Sequence, residues 1–564
     1  MDNTAGLTLD EFIAQPDAVE FTYVNTQQFQ SYIKNKPYIR IGTVLKESDY
    51  AVAYTTRPYI EGVLKDLGSD FVGVFPQPLV PLGSEANAAA GITAVWQQPF
   101  LSLRGSGVLL GFVDTGIDYT KQTFQYENKT SKIKYIWDQT INGNPPETIR
   151  FGSVYTQDDI NKALASADPY SVVPTRDEHG HGTFLASAAG GRDSGEYSGA
   201  APDAEIIAVR LKPANPYLTE TFNAKDIEAI YSSADFMLGI NFIIDRAGEL
   251  NRPVVLCIGM GSNFGSHSGD TFLEDYLSII TRRVGIIAVA AAGNESNRKH
   301  HTDGKIAKTG DKVELNINIG GNTDTTWLYI WNDSFDKISV EVISPIGETT
   351  SRVPVRFDDV YGSRLKMSSS VISIRYHTNA HNVAMISITK PTPGIWNVLL
   401  YGDSIVDGTY HAWMPISSGA SVEFLNPTPN TTIVIPATSP GVICCGGYSS
   451  FDNSLYISSS WGPNRENRMK PDFVAPGVNV RGFYPTGPGE MTGTSASAAV
   501  TAGACALLLQ WALINGNEHA LDQGRMRALL INGCVREDSI SYPNTQWGYG
   551  KLNLFEVFNF LKEN

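Results

Sequence analysis

Cysteine is scarce in this chain, with five residues among 564. The number is odd, and most of these residues lie in apolar stretches, which predicts buried free thiols rather than a disulfide framework. Synthesis in a reducing cytosol is therefore expected. The five positions are Cys257, Cys444, Cys445, Cys505 and Cys534.

Positive charge is also in deficit. Lys and Arg number 43 against 58 Asp and Glu, giving a net charge of −15 and a pI near 5.1. This argues against nucleic acid or an anionic membrane surface as a partner. No apolar run is expected to reach transmembrane length, so we predict no membrane insertion. We also expect a monomeric protein. The first residues, Met1–Gly6, are polar and acidic and lack the features of a secretory signal.

The sequence has none of the common metal signatures. No His-Glu-x-x-His pattern is present, His300 and His301 lack partners at ligand spacing, and no calcium loop is recognisable. We therefore expect neither a metal nor another cofactor.

The most informative segment that is present surrounds Ser495. Gly493-Thr494-Ser495 leads into a long helical pattern of small and apolar residues. A serine at a helix N-terminus lies where free N–H groups and the helix dipole favour developing negative charge. A nucleophilic serine also needs a base to take its proton and a third group to orient that base.

Two other segments offer these groups. His181 lies between glycines ahead of a small-residue helix predicted over Thr183–Ala189. Asp114 closes the apolar run that begins at Val108, as expected of a buried parallel strand that brings a carboxylate to the carboxyl edge of a sheet. Seen alone, each residue would be an ordinary turn or loop residue. The combination is what indicates chemistry.

A fourth candidate is Asn294, at the end of the apolar run that begins at Val284. Its side-chain amide can stabilise a tetrahedral oxyanion beside the backbone N–H of Ser495, and losing one such donor typically costs about 2.7–4 kcal/mol. The alternative is a Gly-Asn turn that closes a strand. With the three other residues present, we favour the oxyanion role.

At these residues the chain resembles the subtilisin-like serine proteases, which present Asp, His and Ser in this order. The resemblance implies a doubly wound α/β fold with a mainly parallel sheet, an Asp114-His181-Ser495 triad, and peptide-bond hydrolysis through an acyl-enzyme. It further implies that a peptide substrate adds as a strand between two segments. These are Gly259, Met260 and Gly261 on one side and Ala291, Ala292 and Gly293 on the other.

An aspartic protease is the competing interpretation, because Asp114-Thr115-Gly116 and Asp193-Ser194-Gly195 mimic its two carboxylate loops. Such enzymes present each Asp from an apolar strand. Asp193 instead follows a predicted helix exit, so we reject this alternative.

Residues 301–436 change character, since short alternating strands replace the helical patterns. Regular short strands with turn residues between them predict an inserted β-sandwich of jelly-roll type. Trp327, Tyr329 and Trp331 suggest a carbohydrate platform, but their period of two favours a packed or half-buried sheet face. We expect the insert to be a stabilising or docking module between the catalytic parts 85–300 and 437–564.

Residues 1–84 form a third predicted unit. Strands are expected near 38–41, 50–54 and 71–75, with a helix over 58–67. This pattern fits a small α+β propeptide that assists folding and then occupies the substrate groove. Family processing usually precedes the catalytic Asp by some thirty residues, which places it near Leu82–Glu85. A separate binding domain is the alternative.

This combination of units resembles the clostridial germination-type (Csp) subtilases. The resemblance implies autoprocessing, a retained propeptide, and cleavage of a zymogen that degrades spore cortex, in the spore or outside the cell. Two alternatives to this interpretation stay open. One is a general bacterial protease of the same subfamily, and the other is a regulatory pseudoprotease or scaffold whose propeptide blocks the groove.

Overall fold

The computed structural model describes most of the chain: residues 6–13, 15, 17–24, 26–34, 36–44, 50–67, 85–146, 151–214, 229–321, 323–357, 359–378, 380–416 and 421–563. Two compact units are present, Met1–Pro81 and Leu82–Asn564.

The first unit is a small α+β arrangement. Its antiparallel sheet has the order β1-β3-β2, and a cluster centred on Phe21, Phe29 and Val63 forms its core. The strands are β1 (Ala18–Val24), β2 (Arg40–Val44) and β3 (Tyr50–Thr56), and the helices are α1 (Leu9–Ile13), α2 (Gln27–Ile33) and α3 (Arg57–Leu67). The strand predicted over 71–75 and most of the predicted processing segment 82–85 lie outside the described residues.

The second unit is built on an eight-stranded sheet in the order β21-β20-β9-β8-β4-β7-β5-β6. All neighbours pair in parallel except the edge strand β6, which runs antiparallel to β5. The strands are β4 (Leu109–Asp114), β5 (Ile133–Asp138), β6 (Ser153–Thr156), β7 (Glu205–Arg210), β8 (Val254–Ile258), β9 (Ile286–Ala291), β20 (Ile443–Tyr448) and β21 (Phe473–Pro476).

Helices cover both faces of this sheet. Alternate residues of β4 enter two different clusters, Leu110 on one face and Leu109 on the other. The described helices are α4 (Glu85–Ala89), α5 (Ile92–Gln97), α6 (Gln157–Ala165), α7 (Pro169–Val172), α8 (His181–Gly190), α9 (Ser233–Glu249), α10 (Phe272–Ile280), α11 (Thr494–Leu509), α12 (Gln523–Asn532) and α13 (Leu554–Glu563). Because buried parallel strands must be apolar on both faces, their sequences read as continuous apolar runs.

Between β9 and β20 the chain forms two antiparallel sheets, which we call the β-sandwich. The six-stranded sheet has the order β10-β18-β12-β16-β15-β14 and the four-stranded sheet β13-β17-β11-β19, and their facing side chains share one core. The strands are β10 (His301–Lys305), β11 (Lys312–Ile319), β12 (Thr325–Asp333), β13 (Lys337–Ile343), β14 (Val360–Arg364), β15 (Val371–Thr378), β16 (His381–Thr389), β17 (Gly394–Ser404), β18 (Thr409–Trp413) and β19 (Val422–Phe424). Its jelly-roll topology stays a prediction. A separate hairpin follows, β22 (Val480–Tyr484) and β23 (Gly487–Met491).

The alternating aromatic residues of β12 lie on the outer face of the six-stranded sheet. Leu328 and Ile330 enter the sandwich core, whereas Tyr329 packs edge-on against Phe264 of the α/β part, with ring centroids 5.0 Å apart. This contact supports the interpretation that these residues form a packed sheet face rather than a carbohydrate platform.

One helical segment, Thr494–Ile514, is long and apolar enough to span a membrane by length and composition. The expectation that no run reaches this length was therefore wrong. Most of the segment is buried within the protein, where α11 packs among β8, β9 and β20. Its apolar character is explained by this core position.

The five cysteines are buried and unpaired, as predicted, and burial raises the pKa of each thiol.

Candidate active site

Asp114 is the last residue of β4 and lies at the carboxyl edge of the sheet. Its side chain is buried, and Oδ1 accepts a hydrogen bond of 2.8 Å from the Thr115 N–H. Gly182 allows the start of α8 to approach this strand end closely. A Cβ on Gly182 would lie 2.2 Å from the Gly116 carbonyl oxygen and 3.0 Å from Asp114 Cβ.

His181 is the first residue of α8, and its Nδ1 lies 2.8 Å from Asp114 Oδ1. Removal from water disfavours the charged imidazolium, but the Asp114 carboxylate more than offsets this and raises the pKa of His181. A carboxylate only accepts hydrogen bonds, so Nδ1 carries the proton and Nε2 is left to act as a base.

Asp177 holds the start of α8, a role that sequence reasoning missed. Its Oδ1 accepts from the Gly180 N–H at 2.7 Å, and its Oδ2 accepts from the Thr183 N–H at 2.9 Å. Gly180 has a left-handed φ of 90°, which a glycine adopts without steric cost. The cap therefore fixes the position from which His181 reaches Asp114.

Ser495 is the second residue of α11, and its Oγ donates to the Gly259 carbonyl at 3.0 Å. Gly259 lies between the serine and the histidine. The position of a Cβ on Gly259 would be 2.9 Å from His181 Cε1 and 3.5 Å from Ser495 Cβ. The structure thus brings Asp114, His181 and Ser495 together at one edge of the sheet.

Asn294 lies three residues beyond the end of β9 and faces the start of α11. Its Oδ1 accepts hydrogen bonds from the Thr494 N–H at 3.1 Å and from the Thr494 hydroxyl at 3.2 Å. Nδ2 is left to donate elsewhere. Beside it, the Ser495 N–H belongs to the first helical turn, where N–H groups have no intrahelical acceptor.

A pocket of about 380 Å³ opens beside Ser495. Five of the six predicted substrate-binding residues line it: Gly259, Met260, Gly261, Ala291 and Gly293. Ala292 does not, because its side chain is fully buried in the core. The other lining residues are Asn294, Glu295, Arg298, His300, Ile416, Val434, Thr494 and Ser495.

Val434 is the most informative lining residue that sequence reasoning missed. Its methyl carbons lie 2.4 Å and 2.6 Å from where Cβ atoms on Gly261 and Gly293 would be, so the side chain fills the space between the two predicted substrate segments. Its N–H donates to the Ala292 carbonyl at 3.0 Å. Since Val434 follows the whole β-sandwich, nothing local in the sequence marks it.

Glu295 is the second missed residue at the pocket. Its side chain is buried, with the residue only 5% exposed. Its Oε2 accepts a hydrogen bond from Asn263 Nδ2 at 2.9 Å and pairs with His300 Nδ1 at 2.6 Å. A buried carboxylate needs such partners to offset the loss of hydration. This network connects the pocket wall to the residue just before the β-sandwich.

The residues of the competing interpretations lie elsewhere. Asp193 follows the end of α8 and forms an ion pair with Arg104 at 3.0 Å, with 39% of its side chain exposed. It is far from the strand-end geometry that an aspartic protease requires. Among the described residues, no group of three or more His, Cys, Asp and Glu side chains is arranged to hold a metal ion.

Comparison with known proteins gives a consistent family. The subtilase family matches residues 105–412 and 416–550. The solved structure of the Clostridium perfringens CspB protease is similar, with a TM-score of 0.75 and 32% identity over 85% of this chain and 99% of that chain.

Curated relatives are more distant. The PII-type proteinase of Lacticaseibacillus paracasei is 23% identical over 486 residues, which are 78% of this chain and 24% of that protein. Subtilisin-like protease 3 of Pseudogymnoascus destructans is 29% identical over 187 residues, 32% of this chain and 41% of that protein. The chain therefore spans less than half the length of these relatives. Since the family match covers most of the sequence, the chain belongs to the subtilase family of serine peptidases.

Proposed function

We propose that this subtilase is a serine endopeptidase in which Ser495 attacks the peptide carbonyl, His181 takes the serine proton, and Asp114 orients His181. The observation that carries the proposal is the 2.8 Å contact between Asp114 Oδ1 and His181 Nδ1, with Ser495 just across Gly259.

The first half of the reaction forms an acyl-enzyme. Ser495 Oγ bonds to the substrate carbonyl carbon while its proton passes to His181 Nε2. The imidazolium is stabilised by Asp114, and then gives this proton to the departing amine as the peptide C–N bond breaks. In the second half, water attacks the ester, His181 takes a proton from that water, and Ser495 leaves with the proton restored.

The negative charge that develops on the carbonyl oxygen needs two donors. Asn294 Nδ2 and the Ser495 N–H are the groups we assign to it. Because Thr494 holds the amide oxygen of Asn294, the donor end is oriented before substrate arrives. Such preorganised donors act most strongly in the transition state.

Substrate binding also affects Ser495 itself. A peptide that adds as a strand along Gly259–Gly261 needs carbonyl acceptors of that segment, and the Gly259 carbonyl now accepts from Ser495 Oγ. We infer that a substrate N–H takes this acceptor and that the hydroxyl then turns towards His181 Nε2.

The decisive test is labelling with a fluorophosphonate, which reacts with an activated serine. The wild-type chain should be labelled, and Ser495→Ala should abolish labelling. Ser497→Ala is the matched control, since Ser497 lies on the same helix with its hydroxyl on the Ala475 carbonyl. An intact chain that never labels would favour the regulatory pseudoprotease.

We further propose that residues 1–84 are a propeptide removed near residues 82–85 by the chain's own activity. Wild-type protein should separate into two fragments, whereas Ser495→Ala should stay as one chain of 61.4 kDa. Cleavage that persists in Ser495→Ala would point to another protease. Copurification of the two wild-type fragments would indicate a propeptide retained in the groove.

For the physiological role we propose activation of a spore-cortex-lytic zymogen during germination in a bacterium. The likeness to the CspB protease, at 32% identity, supports this role over general proteolysis. Deleting the gene in its source organism should leave the zymogen uncleaved when spores germinate. Normal zymogen cleavage in the deletion strain would instead favour a general protease.

A further inference from the structure

The loop that follows the predicted substrate segment is held by the β-sandwich and its return to the sheet. We call residues 262–270 the substrate loop, because they continue directly from Gly259–Gly261. At its start, Ser262 pairs with Ile435 through two backbone hydrogen bonds of 2.8 Å and 2.9 Å. Contacts made by the rest of this loop therefore help to position Gly259–Gly261, which borders the pocket.

The main contact is a ring stack between His267 of the loop and Trp413, the last residue of β18. The two rings lie 4.1 Å apart with an interplanar angle of 5°, and both side chains are buried. His267 Nδ1 lies 2.8 Å from the Ile433 carbonyl. On the sandwich side, Trp413 also stacks on His301 at 4.6 Å.

The loop backbone at this stack is in a conformation that most side chains avoid. His267 has a φ of 55°, in the left-handed region. Such a conformation persists only where surrounding contacts hold it. The stack on Trp413 and the bond to Ile433 are contacts of this kind.

A second connection runs from the loop to the pocket wall. Asn263 Nδ2 donates both to the Met414 carbonyl, at 3.1 Å, and to Glu295 Oε2, at 2.9 Å. Met414 directly follows Trp413, and Glu295 lines the pocket. A shift of Trp413 would therefore move groups on both sides of the substrate-binding region.

We propose that Trp413 is a positioning residue for substrate binding, which holds the substrate loop through His267 and Asn263. Loss of the stack lets the loop relax, misaligns Gly259–Gly261 and weakens substrate binding, while the hydrogen bond between Asp114 and His181, which does not involve this segment, stays in place. The kinetic consequence rests on the proposed peptidase function. The effect on the loop does not.

The test compares Trp413→Leu with Trp396→Leu in the full chain. Trp396 is an equally buried tryptophan of the β-sandwich, but it lies on β17 and packs in the core between the two sheets. Both variants remove a buried indole from the same module. Amide hydrogen exchange of peptides covering residues 259–268 reports on the loop, and KM and kcat on a peptide substrate report on binding and chemistry.

We expect faster exchange over residues 259–268 in Trp413→Leu but not in Trp396→Leu. Loss of an aromatic contact of this kind should raise KM by up to about tenfold and leave kcat within about twofold of the wild-type value. Trp413→Phe should keep most of the wild-type protection from exchange and a KM close to the wild-type value. His267→Asn is a second variant, because asparagine tolerates the left-handed backbone but lacks the ring, and it should behave like Trp413→Leu.

The proposal is overturned if both tryptophan variants speed loop exchange equally, or if neither does. It is also overturned if exchange rises in Trp413→Leu while KM stays at the wild-type value. Fluorophosphonate labelling separates this outcome from failure of the proposed function. A wild-type chain that does not label refutes the peptidase assignment, and the exchange comparison still decides whether Trp413 holds the loop.

Discussion

One hydrogen bond, from His181 Nδ1 to Asp114 Oδ1, fixes both the tautomer and the charge preference of the proposed base. Burial works against the imidazolium, but the Asp114 carboxylate, with a contribution from Asp177, raises the pKa of His181 above its usual value. The base must be neutral to take the serine proton. The reactive fraction of free enzyme should therefore fall as the pH drops through this raised pKa.

The first prediction is that kcat/KM declines in acid with an apparent pKa above about 6.5, the usual value for histidine. Asp114→Asn should lower kcat by about 10⁴-fold and move the acid limb of the residual activity to lower pH. Asp203→Asn, at an exposed ion pair with Arg104, serves as the control and should change neither. An unmoved acid limb in Asp114→Asn would contradict the assigned role.

Asn294 gives the second prediction. Since its amide oxygen is held by Thr494, the contribution to catalysis that we propose for it comes from Nδ2. Asn294→Leu should lower kcat by about 10²–10³-fold with little change in KM, because the donor acts on the transition state. Steady-state kinetics on one peptide decides the matter. A higher KM with unchanged kcat would mean that Asn294 binds the ground state instead.

Val434 gives the third prediction, because its methyl groups fill the space between Gly261 and Gly293. Val434→Gly should enlarge the pocket and raise kcat/KM for a peptide with Phe before the scissile bond relative to one with Ala. Pocket changes of one methylene are worth about 10–200-fold, so a shift of at least tenfold is expected. Val434→Ile should move the ratio the opposite way, and equal ratios in all three proteins would exclude Val434 as a pocket wall.

These residues differ in how visible they are in the sequence. Asp114, His181, Asn294 and Ser495 each lie at an element end with a local pattern of glycines and apolar residues. Val434 has no such pattern, because its position beside Gly261 arises only when the chain returns from the β-sandwich. The network of Asn263 and Glu295 is equally hidden, since it joins residues from separate segments.

The same division holds for whole elements. Buried parallel strands such as β8 and β9 could be predicted because they are apolar on both faces. In the β-sandwich, β11 and β12 were recognisable from alternation, whereas β14 is largely exposed and β19 has only three residues. Such short or exposed strands are fixed by pairing with neighbours, and their own sequences carry little signal.

Between the elements, the junction of loop and sandwich gives the fourth prediction. Burial lowers the pKa of His267 to about 4 and of His411 to about 3, and it also lowers the pKa of His301. These histidines stabilise the fold while neutral, so that contribution is complete above their unfolded value of about 6.5 and is lost as the pH falls towards 4.

The charged groups around these histidines also affect their pKa values. Arg465 lowers the pKa of both His267 and His411, while Glu295 opposes it at His267. Asp303 lies opposite His411 in the register of β10 and β18, and Asp333 and His381 surround Arg465. Denaturant unfolding at about pH 7 and about pH 5 should show a smaller acid loss in His411→Gln than in wild type. His519→Gln is the control, and an identical loss in all three proteins would refute the prediction.

On the scale of the whole molecule, the β-sandwich lies between two strands that are neighbours in the main sheet. Ile443 of β20 pairs with Val289 of β9, although the sandwich separates them in sequence. Closing a long loop costs only slightly more free energy than closing a shorter one. The chain also ties its departure to its return, since Met414 N–H donates to the His300 carbonyl at 2.9 Å and Thr428 N–H to the His301 carbonyl at 2.9 Å.

The last prediction concerns how the chain would process itself. The proposed cleavage segment, residues 82–85, and Ser495 belong to one polypeptide, so cleavage within a molecule needs no encounter between molecules. The fraction processed should then follow first-order kinetics, with a half-time that does not change when the protein is diluted tenfold. As a control, Ser495→Ala mixed with a trace of wild type should stay uncut over the same period. A half-time that lengthens in proportion to dilution would show that one molecule cleaves another.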